Sequence, residues 1–347
     1  IYEVELFKEK GFVRKQCKSC GRAFWTLNPE AEYCGDQPCV AYAFIGNPPT
    51  SRALTLAETR EKFLSFLERH GHKRIAKYPV VARWRDDVYF VGASIYDFQP
   101  WVTEGLMPPP ANPLTISQPC IRLTDVDSVG RTGRHLTEFE MMAHHAFGKP
   151  GQIPYWNDET VEYCFEFFTK DLGIRPEKIN FIEEMWSGGG NAGEDFEVVV
   201  DGIELATLVF MHYKVAPDGG LIPLENLTVD IGYGLERISW VSKGTPTIYD
   251  AAMGRVVEKL RELSGYKVAD ERGFVEASKL AGSMDVKVAG LRKLREKVAE
   301  ALGMPVDELE RMMRPMESIY ALADYTCLLY TSPSPRDLST SRMPSSA

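Results

Sequence analysis

The sequence predicts an α+β fold in which helices flank an antiparallel β-sheet, with a cysteine-rich unit at the start and a helical region towards the end. Strand-turn-strand patterns follow one another between residues 196 and 230, and tight turns of this kind join antiparallel neighbours. Two closely spaced cysteine pairs lie within the first 50 residues, and helical periodicity dominates after about residue 250. The sequence contains no G-x-x-x-x-G-K-[ST] motif, which agrees with a sheet unlike that of P-loop folds.

Length and composition indicate a folded protein of more than one unit. At 347 residues the chain exceeds an average domain, and 44% hydrophobic residues support a packed core. A net charge of −9 argues against general nucleic-acid coating but leaves room for a local basic patch. No apolar run is long enough to span a bilayer and no signal peptide is recognisable, so we expect no membrane partner and a cytoplasmic location. Because the chain opens at Ile1, we expect an internal part of a longer protein.

Residues 1–50 are predicted to form a metal-binding unit. Its cysteines are Cys17, Cys20, Cys34 and Cys39. Four thiolates in C-x2-C and C-x4-C pairs suit a tetrahedral structural zinc ion, and the lack of secretory features favours metal over disulfides. A short hairpin around residues 22–27 is expected between the pairs, and Asn47-Pro48-Pro49 is expected to be a linker. Reduced cysteines without a ligand are the alternative.

Periodicity places the other elements. Helices are predicted at 55–71, 159–170, 291–302 and 308–323, the last bent at Pro315. Short strands are expected at 78–81 and 88–91, and consecutive antiparallel strands at 196–200, 203–215 and 221–229.

The most informative motif is Val229-Asp230-Ile231-Gly232-Tyr233-Gly234-Leu235-Glu236-Arg237. Its glycines alternate at a strand end, where the missing Cβ lets a planar ring lie against the backbone. Arg237 falls in the first turn of the following helix, from which a guanidinium can pair phosphate oxygens in a fork geometry. Taken alone, the motif equally fits a tight strand-to-helix turn with a structural arginine.

A second motif is expected to place an arginine and an aromatic ring on neighbouring strands. The segment from Ser117 predicts a strand that ends at Arg122, then a polar glycine-containing loop and a returning strand that carries His135 and Phe139. The arginine can hold an α-phosphate while the ring stacks on a base. In isolation, this pattern also fits a hairpin with a satisfied arginine.

Together these segments resemble motifs 2 and 3 of the class II aminoacyl-tRNA synthetases, and the helix at 55–71 followed by Tyr78-Pro79 resembles their motif 1. Over roughly residues 1–326 the chain is most similar to the alanyl-tRNA synthetase family of the archaeal type. Further matching segments are Gln118-x-Cys120-Ile121-Arg122, Phe139-Glu140-Met141 and Leu208-Val209-Phe210-Met211. The resemblance implies a zinc unit at 1–50, a class II aminoacylation domain at 51–250 and the start of a tRNA-recognition helical domain at 251–326. Residues 327–347 are expected to be a non-native tail.

For ATP, the resemblance implies that Arg122 binds the α-phosphate and that Phe139 and Arg237 sandwich the adenine. Arg122 and Arg237 would be the catalytic residues, and His135 and Gly234 would complete the ATP-binding set.

For L-alanine, the resemblance implies that Arg122 binds the carboxylate and Asp230 the ammonium group. Gly232 would let the substrate approach the backbone, and Trp186 would wall the pocket. With Mg²⁺, the alanine carboxylate would attack the α-phosphorus in line, giving alanyl-adenylate and pyrophosphate before transfer to the acceptor stem of tRNA(Ala). This chemistry needs no side-chain nucleophile, and no Ser-His-Asp arrangement is expected.

Two other functions stay open at this level. One is a synthetase-like paralog that activates an amino acid for an acceptor other than tRNA. The other is a non-catalytic, zinc-containing RNA-binding module.

Overall fold

A computed structural model describes residues 1–287 and 289–331, and a large β-sheet forms its centre. The strands in these ranges are β1 (Val13–Gln16), β2 (Ala23–Thr26), β3 (Lys73–Arg74), β4 (Leu114–Ile121), β5 (Glu138–Gly148), β6 (Ile179–Gly188), β7 (Asn191–Val200), β8 (Ile203–Val215) and β9 (Leu221–Gly234). They lie in the order β1-β2-β6-β7-β8-β9-β5-β4-β3. Every neighbouring pair is antiparallel except β3 and β4. The predicted antiparallel sheet is therefore confirmed.

Helices cover the sheet and dominate the second half of the described chain. They are α1 (Glu5–Lys10), α2 (Leu56–Arg69), α3 (Asn157–Glu166), α4 (Leu235–Lys243), α5 (Ile248–Ala252), α6 (Gly254–Ser264), α7 (Glu271–Leu280), α8 (Leu291–Leu302) and α9 (Val306–Thr331). Helix α2 begins with a capping box in which Thr55 and Glu58 satisfy each other's backbone amides, as its predicted start requires. Within the described ranges, no helix combines the length and the apolar character needed to cross a membrane.

The two hairpins that the turn residues predicted are present. Val200 pairs with Ile203 across the first turn, and Val215 pairs with Leu221 across the second. Strand β9 runs on to Gly234 and α4 begins at the next residue, so Arg237 lies in the first helical turn as predicted. The strand-to-helix junction leaves no loop between the glycines and the arginine.

Alternation along β9 separates the core from the site. The side chains of Ile231 and Tyr233 are buried in the main hydrophobic core. Because successive side chains of a strand point to opposite faces, Asp230, Gly232 and Gly234 lie on the other face of the sheet. The predicted substrate-facing residues of this motif therefore share one face.

Three local predictions were wrong. Residues 78–81 and 88–91 form no strands and share only a bridge between Val81 and Phe90. The reason is that the Gln118 side chain takes up both backbone groups of Tyr78, at 2.8 and 3.1 Å, and so replaces a strand partner.

The other two corrections concern a hairpin and a loop. Strand β2 lies where a hairpin was expected between the cysteine pairs, but it pairs back with β1, so that Cys17 and Cys20 occupy the turn between them. His135 was expected on the returning strand, whereas β5 begins only at Glu138.

Two of the predicted unit boundaries fall inside helices, residue 250 in α5 and residue 326 in α9. Strands β1 and β2 extend the central sheet through pairing between β2 and β6. Helix α9 passes through Pro315 and continues beyond residue 326 to Thr331. Residues 332–347 of the predicted tail lie outside the described residues. The division at residues 50, 250 and 326 stays a prediction.

Candidate active site

An open cleft with a cavity volume of about 130 Å³ lies where the end of β4, the start of β5 and the end of β9 meet. Six of the predicted substrate-binding residues line it together: Arg122, His135, Phe139, Gly232, Gly234 and Arg237. They come from the two motifs, which are distant in sequence and adjacent in space because β5 pairs with β9.

Arg122 is held at the end of β4 by its backbone and its side chain. Its amide donates to the Thr137 carbonyl at 2.9 Å, and its Nε donates to the Gly92 carbonyl at 2.7 Å. The guanidinium carbon lies 5.0 Å from the centre of the Phe139 ring, within the range of a cation–π contact. The arginine and the ring thus meet across the hairpin, as the second motif predicted.

Arg237 is oriented by an acidic residue that sequence reasoning missed. Its Nη1 donates to Glu204, at 3.0 Å to Oε2 and 3.1 Å to the backbone carbonyl. Burial alone would raise the pKa of Glu204, but Arg237 and the Thr207 hydroxyl bring it below its usual value. A Cβ at Gly234 would lie 3.2 Å from the Arg237 side chain, so this glycine makes room for the arginine.

Asp230 does not line the cleft but lies beside it in a closed environment. The residue is 6% exposed, and burial raises the pKa of its carboxyl to about 7 against the opposing charge of Arg122. His145 Nδ1 lies 3.5 Å from Asp230 Oδ1, which is longer than a good hydrogen bond. On the other side of the ring, His145 Nε2 lies 3.1 Å from Ser94 Oγ.

Ser94, His145 and Asp230 therefore lie next to one another, but His145 Nδ1 has no hydrogen-bond partner among the described residues, so the three do not form a hydrogen-bonded Ser-His-Asp relay. If the imidazole proton is on Nδ1, facing the carboxylate, Ser94 donates to Nε2. Ser94 and His145 are fully buried, and the Met141 sulfur lies 3.6 Å from the serine oxygen. We assign no nucleophile here because the hydroxyl is shielded. Register was the missing signal, since His145 pairs with Asp230 across β5 and β9.

Gly232 and Trp186 have surroundings that the sequence did not reveal. A Cβ at Gly232 would lie 2.8 Å from the sulfur of Met141, so the thioether occupies the space above this glycine. Trp186 is half-buried and packs against an apolar cluster that includes Ala143 and Val209. These residues are the strand partners of Gly232 and Asp230, so the cluster borders the aspartate.

A second buried carboxyl lies near the site and was not predicted. Asp97 is 7% exposed, and neither of its oxygens has a hydrogen-bond partner in the described part of the chain. Burial raises the pKa of its carboxyl to about 8. Its neighbours in sequence gave no signal, because it follows Ser94 in a short 3-10 turn rather than in a recognisable motif.

The four N-terminal cysteines converge as their spacing predicted. Their sulfur atoms all lie within 4.8 Å of one another, and those of Cys20 and Cys34 are 3.9 Å apart. Zinc–sulfur bonds of about 2.3 Å in a tetrahedron separate the sulfurs by about 3.8 Å, so the donor set fits zinc. The Arg22 guanidinium lies 4.0 Å from Cys34 Sγ, while burial raises the pKa of the Cys34 thiol.

The fold and these motifs define a class II aminoacyl-tRNA synthetase. The family model described as tRNA synthetases class II (A) matches residues 58–330, and the chain belongs to this family. It is 60% identical over 327 residues to the alanine–tRNA ligase of Pyrobaculum calidifontis, covering 94% of this chain and 36% of that protein. It is 56% identical over 342 residues to the alanine–tRNA ligase of Pyrococcus furiosus, covering 94% and 37%.

The chain thus spans little more than a third of the length of these curated relatives. Among solved structures, a pyrrolysyl-tRNA synthetase from Desulfitobacterium hafniense overlaps with a TM-score of 0.38 and 18% identity, over 58% of this chain and 74% of that one. This distant overlap adds nothing to the family match.

Proposed function

We propose that the chain carries the alanine-activating site of an alanine–tRNA ligase. It would join L-alanine to ATP to give alanyl-adenylate and pyrophosphate, and the longer protein would pass alanine to the acceptor stem of tRNA(Ala). The main support for this proposal is that Arg122, Phe139 and Arg237 line the same cleft, beside the buried Asp230. Names of relatives 56–60% identical to the chain support the choice of alanine.

For ATP, we propose that Arg122 would bind the α-phosphate and that Arg237 would pack against the adenine base. Arg122 is exposed and rests on the Phe139 ring, so an adenine that stacks there would shift the guanidinium towards the α-phosphate. Arg237 would close the other side of the base, since Glu204 fixes its guanidinium at the cleft wall. His135 and Gly234 line the same cleft and would contact the nucleotide.

Magnesium would be held by cleft carboxylates that stay ionised. The lowered pKa of Glu204 keeps its carboxylate ionised, and Mg²⁺ prefers oxygen ligands, so the ion would share oxygens that already accept from Thr207 and Arg237. Glu236 also lines the cleft, but burial raises its pKa to about 8, which makes it a poorer ligand. When bound, the ion neutralises phosphate charge during the transfer.

On the amino-acid side, Asp230 would receive the ammonium group and Arg122 the carboxylate. Burial makes the charge-assisted pair strong, while the apolar cluster around Trp186 would limit the size of the side chain. Gly232 would admit the substrate only after the Met141 thioether moves, which its unbranched chain permits. Orientation of the carboxylate towards the α-phosphorus then supplies much of the rate.

The remaining assignments follow from the same frame. We infer a structural zinc at the four cysteines, because their sulfur atoms fit its tetrahedron. We retain a zinc unit at 1–50, an aminoacylation domain at 51–250, the start of a tRNA-recognition domain at 251–326 and a non-native tail at 327–347. A cytoplasmic location accords with protein synthesis. A paralog with another acceptor and a non-catalytic RNA-binding module are not favoured, since the cleft retains its full arginine and aromatic set.

The test is amino-acid-dependent ATP–pyrophosphate exchange on the full chain with zinc, comparing alanine, glycine and serine. We expect alanine to be preferred, and Arg122→Ala and Asp230→Ala each to lower exchange by roughly 100-fold or more. Lys8→Ala, which removes an exposed partner of Glu5 far along the chain from the motifs, is the control. A folded, zinc-loaded protein without exchange would remove the catalytic proposal.

A further inference from the structure

The loop between β4 and β5 ends in a residue that joins the cleft to the helical region. Thr137 lies between the cleft residues His135 and Phe139, and its carbonyl accepts the Arg122 amide at 2.9 Å. This bond continues the β4–β5 ladder beyond the pair formed by Ile121 and Glu138. The position of Thr137 thus affects both Arg122 and the start of the strand that carries Phe139.

Asp324 of helix α9 holds Thr137 from the opposite side. The Thr137 amide lies 3.1 Å from Asp324 Oδ1 and 3.2 Å from Oδ2, and the threonine hydroxyl donates to Oδ2 at 2.5 Å. Thr137 is fully buried and Asp324 is 1% exposed. Removal of the carboxylate would leave two buried donors without an acceptor, so the strand end would have to move to find one.

The rest of the loop lies against the same helical region. The Tyr249 hydroxyl accepts from the Gly130 amide at 2.7 Å and donates to the His135 carbonyl. Gly130 has a φ of +80°, and a Cβ there would lie 2.4 Å from the Glu317 carbonyl of α9. This close approach leaves the loop little freedom relative to the helix.

We propose that Asp324 is a positioning residue of the nucleotide site: through Thr137 it sets the placement of Arg122 and Phe139, so that helix α9 completes the site. This inference rests on the proposed function, because it assumes that these two residues bind ATP. It predicts that the helical region acts mainly on ATP, since Arg122 and Phe139 would both contact the nucleotide, whereas alanine would meet only Arg122 and residues of β9, a strand that Asp324 does not touch. Catalysis is sensitive to such placement, as misplacing a reacting group by about 1 Å can cost 100-fold.

A purely structural role makes a different prediction, and the same helix offers a matched control. Glu317 lies two turns before Asp324, is 8% exposed and pairs with Arg295 of α8. Glu317→Gln therefore disturbs a buried carboxylate of α9 that does not touch Thr137. A structural role alone would make both substitutions lower the melting temperature without a selective effect on ATP.

The experiment measures exchange kinetics for the full-length chain, Asp324→Ala, Asp324→Asn and Glu317→Gln, at a temperature where circular dichroism shows all four folded. Asp324→Ala should raise KM for ATP roughly 10-fold and KM for alanine by a smaller factor, because alanine would lose only its placement against Arg122. Asp324→Asn keeps one oxygen acceptor and should fall between the alanine variant and the parent. Glu317→Gln should leave both KM values within about 2-fold.

Calorimetric titration with ATP on the same proteins separates this inference from the proposed function. If the parent binds ATP but shows no exchange, the proposed function fails, and weaker ATP binding by Asp324→Ala alone still supports the positioning role. Equal ATP parameters for Asp324→Ala and Glu317→Gln, or equal rises in the KM of both substrates, would overturn it.

Discussion

The open cleft, which we propose binds ATP, and the closed surroundings of Asp230, the pocket that we propose binds alanine, share one face of the sheet but are built in opposite ways. In the cleft the two arginines can be reached from solvent: Arg122 is exposed, and Arg237 is half-buried and pairs with Glu204 at 3.0 Å. In the pocket Asp230 is buried beside a fully buried, neutral His145, and burial shifts the pKa of the aspartate to about 7. The cleft therefore offers accessible positive charge to an anionic ligand. In the pocket, burial of the Asp230 carboxyl disfavours its charged form.

The difference follows from what each part would bind. ATP is large and carries several negative charges. The charged side chains that would bind it can therefore stay hydrated, or paired with an opposite charge, while the cleft is empty. Alanine is small, and its ammonium group is the cationic group that a buried carboxylate can bind. A buried carboxylate that lacks a cation binds an ammonium group strongly because the pair relieves the cost of burial. The comparison predicts that pocket changes act on alanine alone.

The largest expected effect comes from Asp230→Asn, which keeps the shape and removes the charge. We expect kcat/KM for alanine to fall by roughly 100- to 1,000-fold, the usual cost of breaking a buried charge pair, with KM for ATP nearly unchanged. At pH 8 the variant should also be more stable than the parent, because it no longer buries an ionised carboxylate. Exchange kinetics and thermal unfolding measure the two effects.

Asp97→Asn is the control for this change, since it alters another buried carboxyl in the same way. It should leave KM for alanine within about 2-fold while raising stability at pH 8. Equal losses of alanine activity in both variants would mean that buried charge in general, and not the ammonium partner, matters in this region.

Six residues of the open cleft were predictable from sequence because each lies in a short motif, whereas Glu204 lies in neither motif and was missed. Gly234 immediately precedes helix α4, and Arg237 lies in the first turn of that helix. The spacing of the two glycines and the arginine in the sequence is therefore enough to predict that they lie close together. His145 and Ser94 were not predictable, since their meeting with Asp230 depends on the register between β5 and β9 and on a 3-10 turn far along the chain. Motifs record local geometry, whereas burial and cross-strand contacts appear only in the assembled sheet.

The same reason explains where the fold departs from expectation. The segment around Tyr78 has the composition of a strand, yet a single Gln118 side chain takes up its backbone groups. A side chain from a distant strand cannot be read from the segment itself. The hairpins of β7, β8 and β9 were predictable because their turn residues directly determine the pairing.

The pH dependence of KM for alanine is a further test of the pocket, and its expected effect is smaller than that of Asp230→Asn. Burial raises the pKa of Asp230 to about 7, opposed by Arg122, so below that pH the free site is protonated and must lose a proton to bind the ammonium group. KM for alanine should therefore fall about tenfold per unit as pH rises towards 7 and level off above it. Burial lowers the pKa of His145 to about 3, so this neighbour stays neutral throughout and adds no slope. A profile that stays flat in the parent, measured by exchange between pH 5.5 and 8.5, would contradict the assignment of the pocket.

The smallest expected effect is that of a substitution at His145, which tests whether this residue belongs to the pocket. A substitution at His144 is the control. His145→Phe removes the nitrogen that lies 3.5 Å from Asp230 and the one that meets Ser94. Because the contact with Asp230 is longer than a good hydrogen bond, the change should raise KM for alanine by no more than about 5-fold. His144→Phe alters the next residue, whose Nδ1 lies 2.6 Å from the Tyr155 hydroxyl on the opposite face of the strand. That change should lower the melting temperature and leave KM for alanine unaltered. If the two variants changed KM equally, the histidines would serve the packing of β5, and the pocket would consist of Asp230 and its apolar walls alone.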